Sequence, residues 1–187
     1  MKIMEKASKK VILYNGINQP FFYTTASFNL GLLAISSVLK QKGYQTILIP
    51  NIEVPGSIKL LKKELKSALM VGVSCMTGDP LLNAVKFSQI VKKLNPKIPI
   101  CWGGYHVTMD YQNAMKNDYI DYVIRGQGER TVVELVSAIQ KKSGFGKILG
   151  LVYRKKGKIV VNHDRLIENL DQFPRYDYQL YFDSIYP

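Results

Sequence analysis

Short apolar runs alternate along the chain with stretches in which apolar residues recur at helical spacing. Val11–Tyr14, Thr46–Ile49, Leu69–Ser74, Ile98–Trp102 and Tyr122–Ile124 are mostly apolar throughout. They lack the polar alternation of a half-exposed strand, as expected of strands covered by helices on both faces. Between them, Asn29–Lys42 places Leu30, Leu33, Ala34, Val38 and Leu39 on one helical face and stops at Gly43, a suitable terminator. Ile58–Lys66 predicts a shorter helix with Ser57 as its N-cap. Pro80–Leu94 opens with Asp79 at the cap and proline in the first turn, and ends before Pro96. Val107–Asn117 and Glu129–Lys142 complete five strand–helix units.

Five such units predict an α/β fold with parallel strands, because crossovers between parallel strands are almost always right-handed. The expected architecture is a flavodoxin-like, doubly wound, five-stranded sheet of order 2-1-3-4-5. The pattern then changes. Ile148–Tyr153 and Lys158–Asn162 flank the turn-rich Arg154–Gly157 and predict a β-hairpin, and Leu166–Pro187, rich in Tyr, Asp and Pro, reads as a linker. The chain therefore divides into an α/β domain over 1–147 and a hairpin and linker over 148–187.

Composition narrows the partners. With 187 residues, 47% of them hydrophobic, the chain suits one domain with a real core. No apolar run approaches the ~20 residues needed to span a bilayer. Met1–Lys10 is basic but lacks the cleavage site of a secretory signal, so a cytoplasmic protein is expected. The net charge of +12 raises nucleic acid as a partner. Its distribution argues against one. Lys59, Lys62, Lys63 and Lys66 fall on one predicted helix, while Lys92, Lys93 and Lys97, then Lys141 and Lys142, cluster at helix ends, where cations oppose the helix dipole. No aromatic residues interleave with them as in a strand-binding groove. The two cysteines, Cys75 and Cys101, form no CxxC pair, so neither a disulfide scaffold, nor a zinc site, nor an iron–sulfur cluster is expected.

Ligands of open parallel sheets bind beyond the carboxyl ends of the strands. Three loops stand out there: Ser74-Cys75-Met76-Thr77 after the third strand, Gly103-Gly104-Tyr105-His106 after the fourth, and Gly126-Gln127-Gly128-Glu129 after the fifth. Ser74 and Thr77 offer compact hydroxyls. Gly103 and Gly104 remove two side chains where a bulky ligand would lie against backbone. Gly126 and Gly128 do the same one strand over, and the amides at the next helix start favour anionic groups. Each feature also has a plain structural reading: paired glycines as turn geometry, Ser and Thr as caps, His106 as a satisfied polar residue and Cys75 as an unreactive thiol. Their coincidence on one sheet edge favours a long ligand lying across it.

Those loops carry a resemblance. Val71-Gly72-Val73-Ser74-Cys75-Met76-Thr77, Trp102-Gly103-Gly104-Tyr105-His106-Val107-Thr108 and Asp121-Tyr122-Val123-Ile124-Arg125-Gly126-Gln127-Gly128-Glu129 resemble successive motifs of the cobalamin (B12)-binding domains that precede the barrel of radical SAM enzymes. Gln127 stands where the family usually has Glu. The hairpin and Asn169-Leu170-Asp171-Gln172-Phe173-Pro174 are similar to the family's lead-in to the barrel.

The resemblance implies that Ser74–Thr77, Gly103-Gly104 and Gly126–Glu129 bracket the nucleotide tail and corrin edge of cobalamin, with Tyr105 and His106 beside them and His106 lining the tail pocket. The loop after the first strand, Asn15–Thr25, contains no histidine for cobalt, so base-off binding without a histidine ligand is expected, and no residue is assigned to metal or to catalysis. A radical SAM barrel needs a CxxxCxxC motif that this chain lacks. Its SAM and 4Fe-4S cluster are expected only in a C-terminal domain beyond these residues, the full-length enzyme acting in methyl transfer or ring formation. The alternatives are an FMN- or nucleotide-binding flavodoxin-like domain, with Thr24-Thr25-Ala26-Ser27 cradling phosphate, or a non-catalytic interaction module of the same fold.

Overall fold

The computed structural model describes residues 9–16, 29–49, 51–176 and 178–179. Among the described residues seven strands and six α-helices follow in the order β1 (Lys10–Asn15), α1 (Leu30–Gln41), β2 (Gln45–Ile49), α2 (Ser57–Glu64), β3 (Ala68–Ser74), α3 (Asp79–Leu94), β4 (Ile100–Gly103), α4 (Tyr105–Met109), α5 (Tyr111–Ala114), β5 (Tyr122–Ile124), α6 (Glu129–Lys141), β6 (Leu151–Lys155) and β7 (Lys158–Val161). They build one sheet of order β2-β1-β3-β4-β5-β6-β7. The first five strands pair in parallel in the expected 2-1-3-4-5 order. The hairpin adds β6 antiparallel to β5 and β7 antiparallel to β6, so it lengthens the same sheet.

The apolar strand runs serve two layers at once. Ile12 and Tyr14 of β1, Val71 and Val73 of β3, Ile100 and Trp102 of β4 and Val123 of β5 face Phe87 and Val91 of α3, beside Leu61 of α2. Val11, Leu13, Met70, Cys101 and Ile124 face the other way, onto Leu32, Leu33 and Leu39 of α1 and Val132, Leu135 and Val136 of α6. The alternation expected of a strand is present, but both registers are apolar. Two polar pairs are built into these layers: Trp102 Nε1 donates to Ser88 Oγ at 2.9 Å, and the Ser36 and Thr46 hydroxyls meet at 2.6 Å.

Helix ends account for the differences from the sequence expectation. Gly43 (φ 78°) does terminate α1, with its amide on Lys40 O and that of Tyr44 on Leu39 O, a Schellman closure. Ser57 and Asp79 are not caps. Gly56 (φ 90°) and Gly78 (φ 95°) hold those positions, and both polar residues move into the first helical turn. A helix over Val107–Asn117 is replaced by two short ones broken at Asp110. Its carboxylate instead accepts from the Asn113 amide and side chain, the local competition that keeps Asp out of helix interiors. The hairpin turn narrows to Lys156 (φ 49°) and Gly157 (φ 78°), the two left-handed positions of a type I′ turn.

Candidate cofactor-binding site

Strand register places a row of small and apolar residues on the α1/α6 face. Leu13 pairs with Gly72, and Gly72 with Cys101. Nearer the carboxyl edge, Asn15 pairs with Ser74, and Ser74 with Gly103. Because Gly72 carries no side chain, a slot opens between the sheet and the first turns of α1 and α6. This cleft, of about 250 Å³, has Leu13, Met70, Gly72, Cys101 and Ile124 as floor, Gly31, Leu32, Ile35 and Val132 as helical walls, and Ser74, Gly103, Gly104, Gly126, Gln127, Gly128 and Glu129 around its mouth.

Seven of the twelve residues singled out from sequence thus meet at one cleft. The other five do not line it. Cys75 is fully buried on the opposite face, where desolvation pushes its thiol up to about 12 and keeps it protonated. Met76 and Tyr105 are exposed above the edge, Tyr105 by 68%. Thr77 Oγ1 lies 3.3 Å from His106 Nδ1, a pair that sits on the α4 side. His106, expected to line the tail pocket, is not among the residues lining this cleft. β4 delivers Gly103 to the cleft, but the chain then turns at Gly104, and α4 carries His106 away.

The two glycines of that turn play different parts. A Cβ on Gly103 would meet nothing within 4 Å, so its absence leaves open space. A Cβ on Gly104 (φ 103°) would come within 2.8 Å of Cys75 O. Gly104 permits the close approach of two loops. Cys75 N reaches Gly103 O at 2.8 Å, and His106 N reaches Cys75 O at 3.2 Å. Thr108 then joins the glycine loops, its hydroxyl donating to Gly104 O at 2.9 Å and accepting from Gly126 N at 3.0 Å.

Further residues frame the mouth without having been singled out. Asn29, the cap of α1, accepts from Leu32 N at 3.0 Å while its amide donates to Asn15 Oδ1 at 3.1 Å and Ser74 Oγ at 3.0 Å. One side chain thus fixes the ends of β1 and β3 to the start of α1. Asp121 of the third motif is structural. It accepts from Ile100 N and Lys92 Nζ, both at 2.8 Å, setting β5 against β4. On the far side the chain after β7 is strapped to α6. Gln127 donates from Nε2 to Glu168 O at 3.3 Å and accepts Glu168 N on Oε1 at 2.7 Å. Arg130 Nε holds both Glu168 carboxylate oxygens at 2.8 Å. The Arg130 hydrogen bond, with the charges of Arg130 and Arg165, keeps the Glu168 carboxyl below its ordinary range. Gln127 stands where the resemblance sets a glutamate, and its two-way pairing with the Glu168 backbone is something a glutamate carboxylate cannot make. The loop after β1 beyond Gly16, and Thr24-Thr25-Ala26-Ser27, lie outside the described residues.

An open parallel sheet whose carboxyl edge drops into a glycine-rimmed, apolar slot is the build of a cofactor-binding α/β domain. Residues 24–136 match the model of the B12 binding domain, and the chain belongs to that family, with cobalamin as its cofactor. It is 32% identical over 156 residues to the "Uncharacterized methyltransferase PH0819" of Pyrococcus horikoshii, covering 81% of this chain and 33% of that protein. It is 24% identical to the anaerobic magnesium-protoporphyrin IX monomethyl ester cyclase of Synechocystis, over 77% of this chain and 30% of the cyclase. The chain thus spans about a third of these relatives. Its fold matches that of the cobalamin-dependent S-adenosylmethionine radical enzyme OxsB, solved with aqua-cobalamin and S-adenosylmethionine bound. The TM-score is 0.73 at 19% identity, over 96% of this chain and 25% of OxsB.

Proposed function

We propose that residues 1–147 hold cobalamin base-off and without a histidine ligand, the nucleotide tail in the cleft and the corrin across the edge above it. In this reading residues 148–187 lead to a radical SAM barrel in a longer, cytoplasmic enzyme that performs methyl transfer or ring formation. The methyltransferase and cyclase relatives support that context, and SAM and a 4Fe-4S cluster would belong to the barrel.

The observation that carries the reading is the cleft itself. At about 250 Å³ it falls below the roughly 300–1,000 Å³ that enclose a drug-sized ligand, so it accommodates a flat tail and leaves the larger ring outside. Gly103 and Gly126, where a Cβ would meet nothing within 4 Å, leave room at the mouth for the chain between ring and tail. α6 starts at Glu129 with Gly128 as its cap and no side-chain cap bond, so its first amides, beside the mouth, are donors suited to a phosphodiester. Of the two histidines in the chain, His106 pairs with Thr77 outside the cleft and His163 follows β7, which supports base-off binding without histidine. Bound there, cobalamin supplies a cobalt centre that can accept and pass on a methyl group; this chain's residues bind and orient it.

Optical titration with hydroxocobalamin, with FMN as control, tests this. The expected result is saturable binding with a base-off absorption spectrum and no comparable response to FMN. Tight FMN binding with no cobalamin binding would overturn the reading, and a spectrum showing a histidine-ligated cobalt would overturn its ligation state.

A further inference from the structure

Resting on the cobalamin reading, we infer that the cleft discriminates among cobamides by the base of the nucleotide tail, taking a benzimidazole-type base in preference to adenine. The inference comes from where polar side chains stand along the depth of the slot. Among the described lining residues they are Ser74, Gln127 and Glu129. Ser74 is the last residue of β3, Gln127 belongs to the loop before α6, and Glu129 is the first residue of α6, so all three stand at the mouth. Gln127 is further committed at both ends of its amide to the Glu168 backbone, and the Ser74 hydroxyl accepts from Asn29.

Below the mouth the character changes. Leu13, Gly72 and Cys101 form one register row across three strands, Met70 lies two residues deeper, and Ile124, Leu32, Ile35 and Val132 close the sides. Backbone amides and carbonyls of the strands are consumed by the sheet ladder. The Cys101 thiol, a weak donor, is turned toward Trp102 O at 3.8 Å, and burial pushes its pKa up, so it stays neutral. A base seated on this floor meets hydrocarbon and sulfur among the described lining residues.

The two classes of tail differ in what they lose there. A dimethylbenzimidazole presents two methyl groups and a benzo ring to the floor. Adenine presents an exocyclic amine and additional ring nitrogens, each stripped of water with no side-chain partner among the described floor residues. Every such orphaned group weakens binding by about tenfold or more. Glu129 and Gln127 do not relieve this, because they stand a full turn above Val132 and the Leu13–Gly72–Cys101 row. The selection is of one apolar base shape over a polar one of similar size, the asymmetry that hydrogen-bond-free pockets impose.

Affinities of the intact chain for three corrinoids decide it: cobalamin, the adenine-containing cobamide, and cobinamide, which has no nucleotide tail. Cobalamin is expected to bind at least about tenfold tighter than the adenine form. Cobinamide is expected to bind more weakly than cobalamin. Gly72→Val, which fills the floor beside Leu13 Cδ2, is expected to bring cobalamin down to the cobinamide level while leaving cobinamide unchanged. Equal or tighter binding of the adenine form, with both tailed ligands ahead of cobinamide, would overturn the selectivity and leave the cobalamin reading standing. Failure of all three corrinoids to bind would remove both.

Discussion

At the residue scale the site depends on side chains that touch no ligand. Asn29 caps α1 and ties it to Asn15 and Ser74, so three elements converge through one amide. Loss of a cap alone costs about 1 kcal/mol. Asn29→Ala is therefore expected to lower stability by about that amount and to weaken cobalamin binding besides. Denaturant unfolding and optical titration measure the two separately, and unchanged binding in the variant would show that the mouth does not need this tie. Asn29 was legible only as a helix start, since a sequence shows which residue caps but not what else its amide reaches. Gly72 was visible within the first motif yet not as part of a site. Its importance comes from register, which puts the missing side chain between Leu13 and Cys101, and register is a property of neighbouring strands.

At the element scale, strands were the more legible class. An apolar run in both registers needs two covering layers, and the chain supplied helices in alternation to provide them. Helix boundaries were less legible because glycines at positive φ took the cap positions before Ser57 and Asp79, and Asp110 diverted its carboxylate to Asn113. The strap on α6 was not legible at all, since Gln127, Arg130 and Glu168 are separated in sequence and meet only once the hairpin has returned the chain. That strap carries a pH dependence. A carboxyl held below its ordinary value stabilises the folded arrangement above that value, and the contribution is lost as pH falls through the lower, folded one. The strap is thus expected to be intact near neutrality and released only as pH falls beneath the ordinary glutamate range. Hydrogen exchange at the Glu168 amide measures it: protection, corrected for intrinsic rates, falls on acidification. Unchanged protection would mean that the Gln127 pairing alone holds the segment.

At the scale of the whole molecule the hairpin belongs to the core it extends. Leu151, Val152 and Tyr153 are buried, Val152 in one layer and the other two in the opposite layer. Each buried side chain of this size contributes about 1.5–3 kcal/mol, and a domain's net stability is about 5–15 kcal/mol. A chain ending at residue 147 is accordingly expected to lose much of its stability, read as a markedly lower Tm or insoluble expression. If that shortened chain melts like the full one, the hairpin is an accessory and not a wall.

Placing β7 last in the sheet has a consequence for how the molecule lives with its neighbours. A terminal strand offers a row of main-chain donors and acceptors on which another chain can template itself, and Ile159 and Val161 are partly exposed along this one. Lys155, Lys156 and Lys158 crowd the turn that opens β7. Two copies approaching strand to strand in parallel register would bring those cations together, so part of the net charge opposes fibrous self-association of that kind.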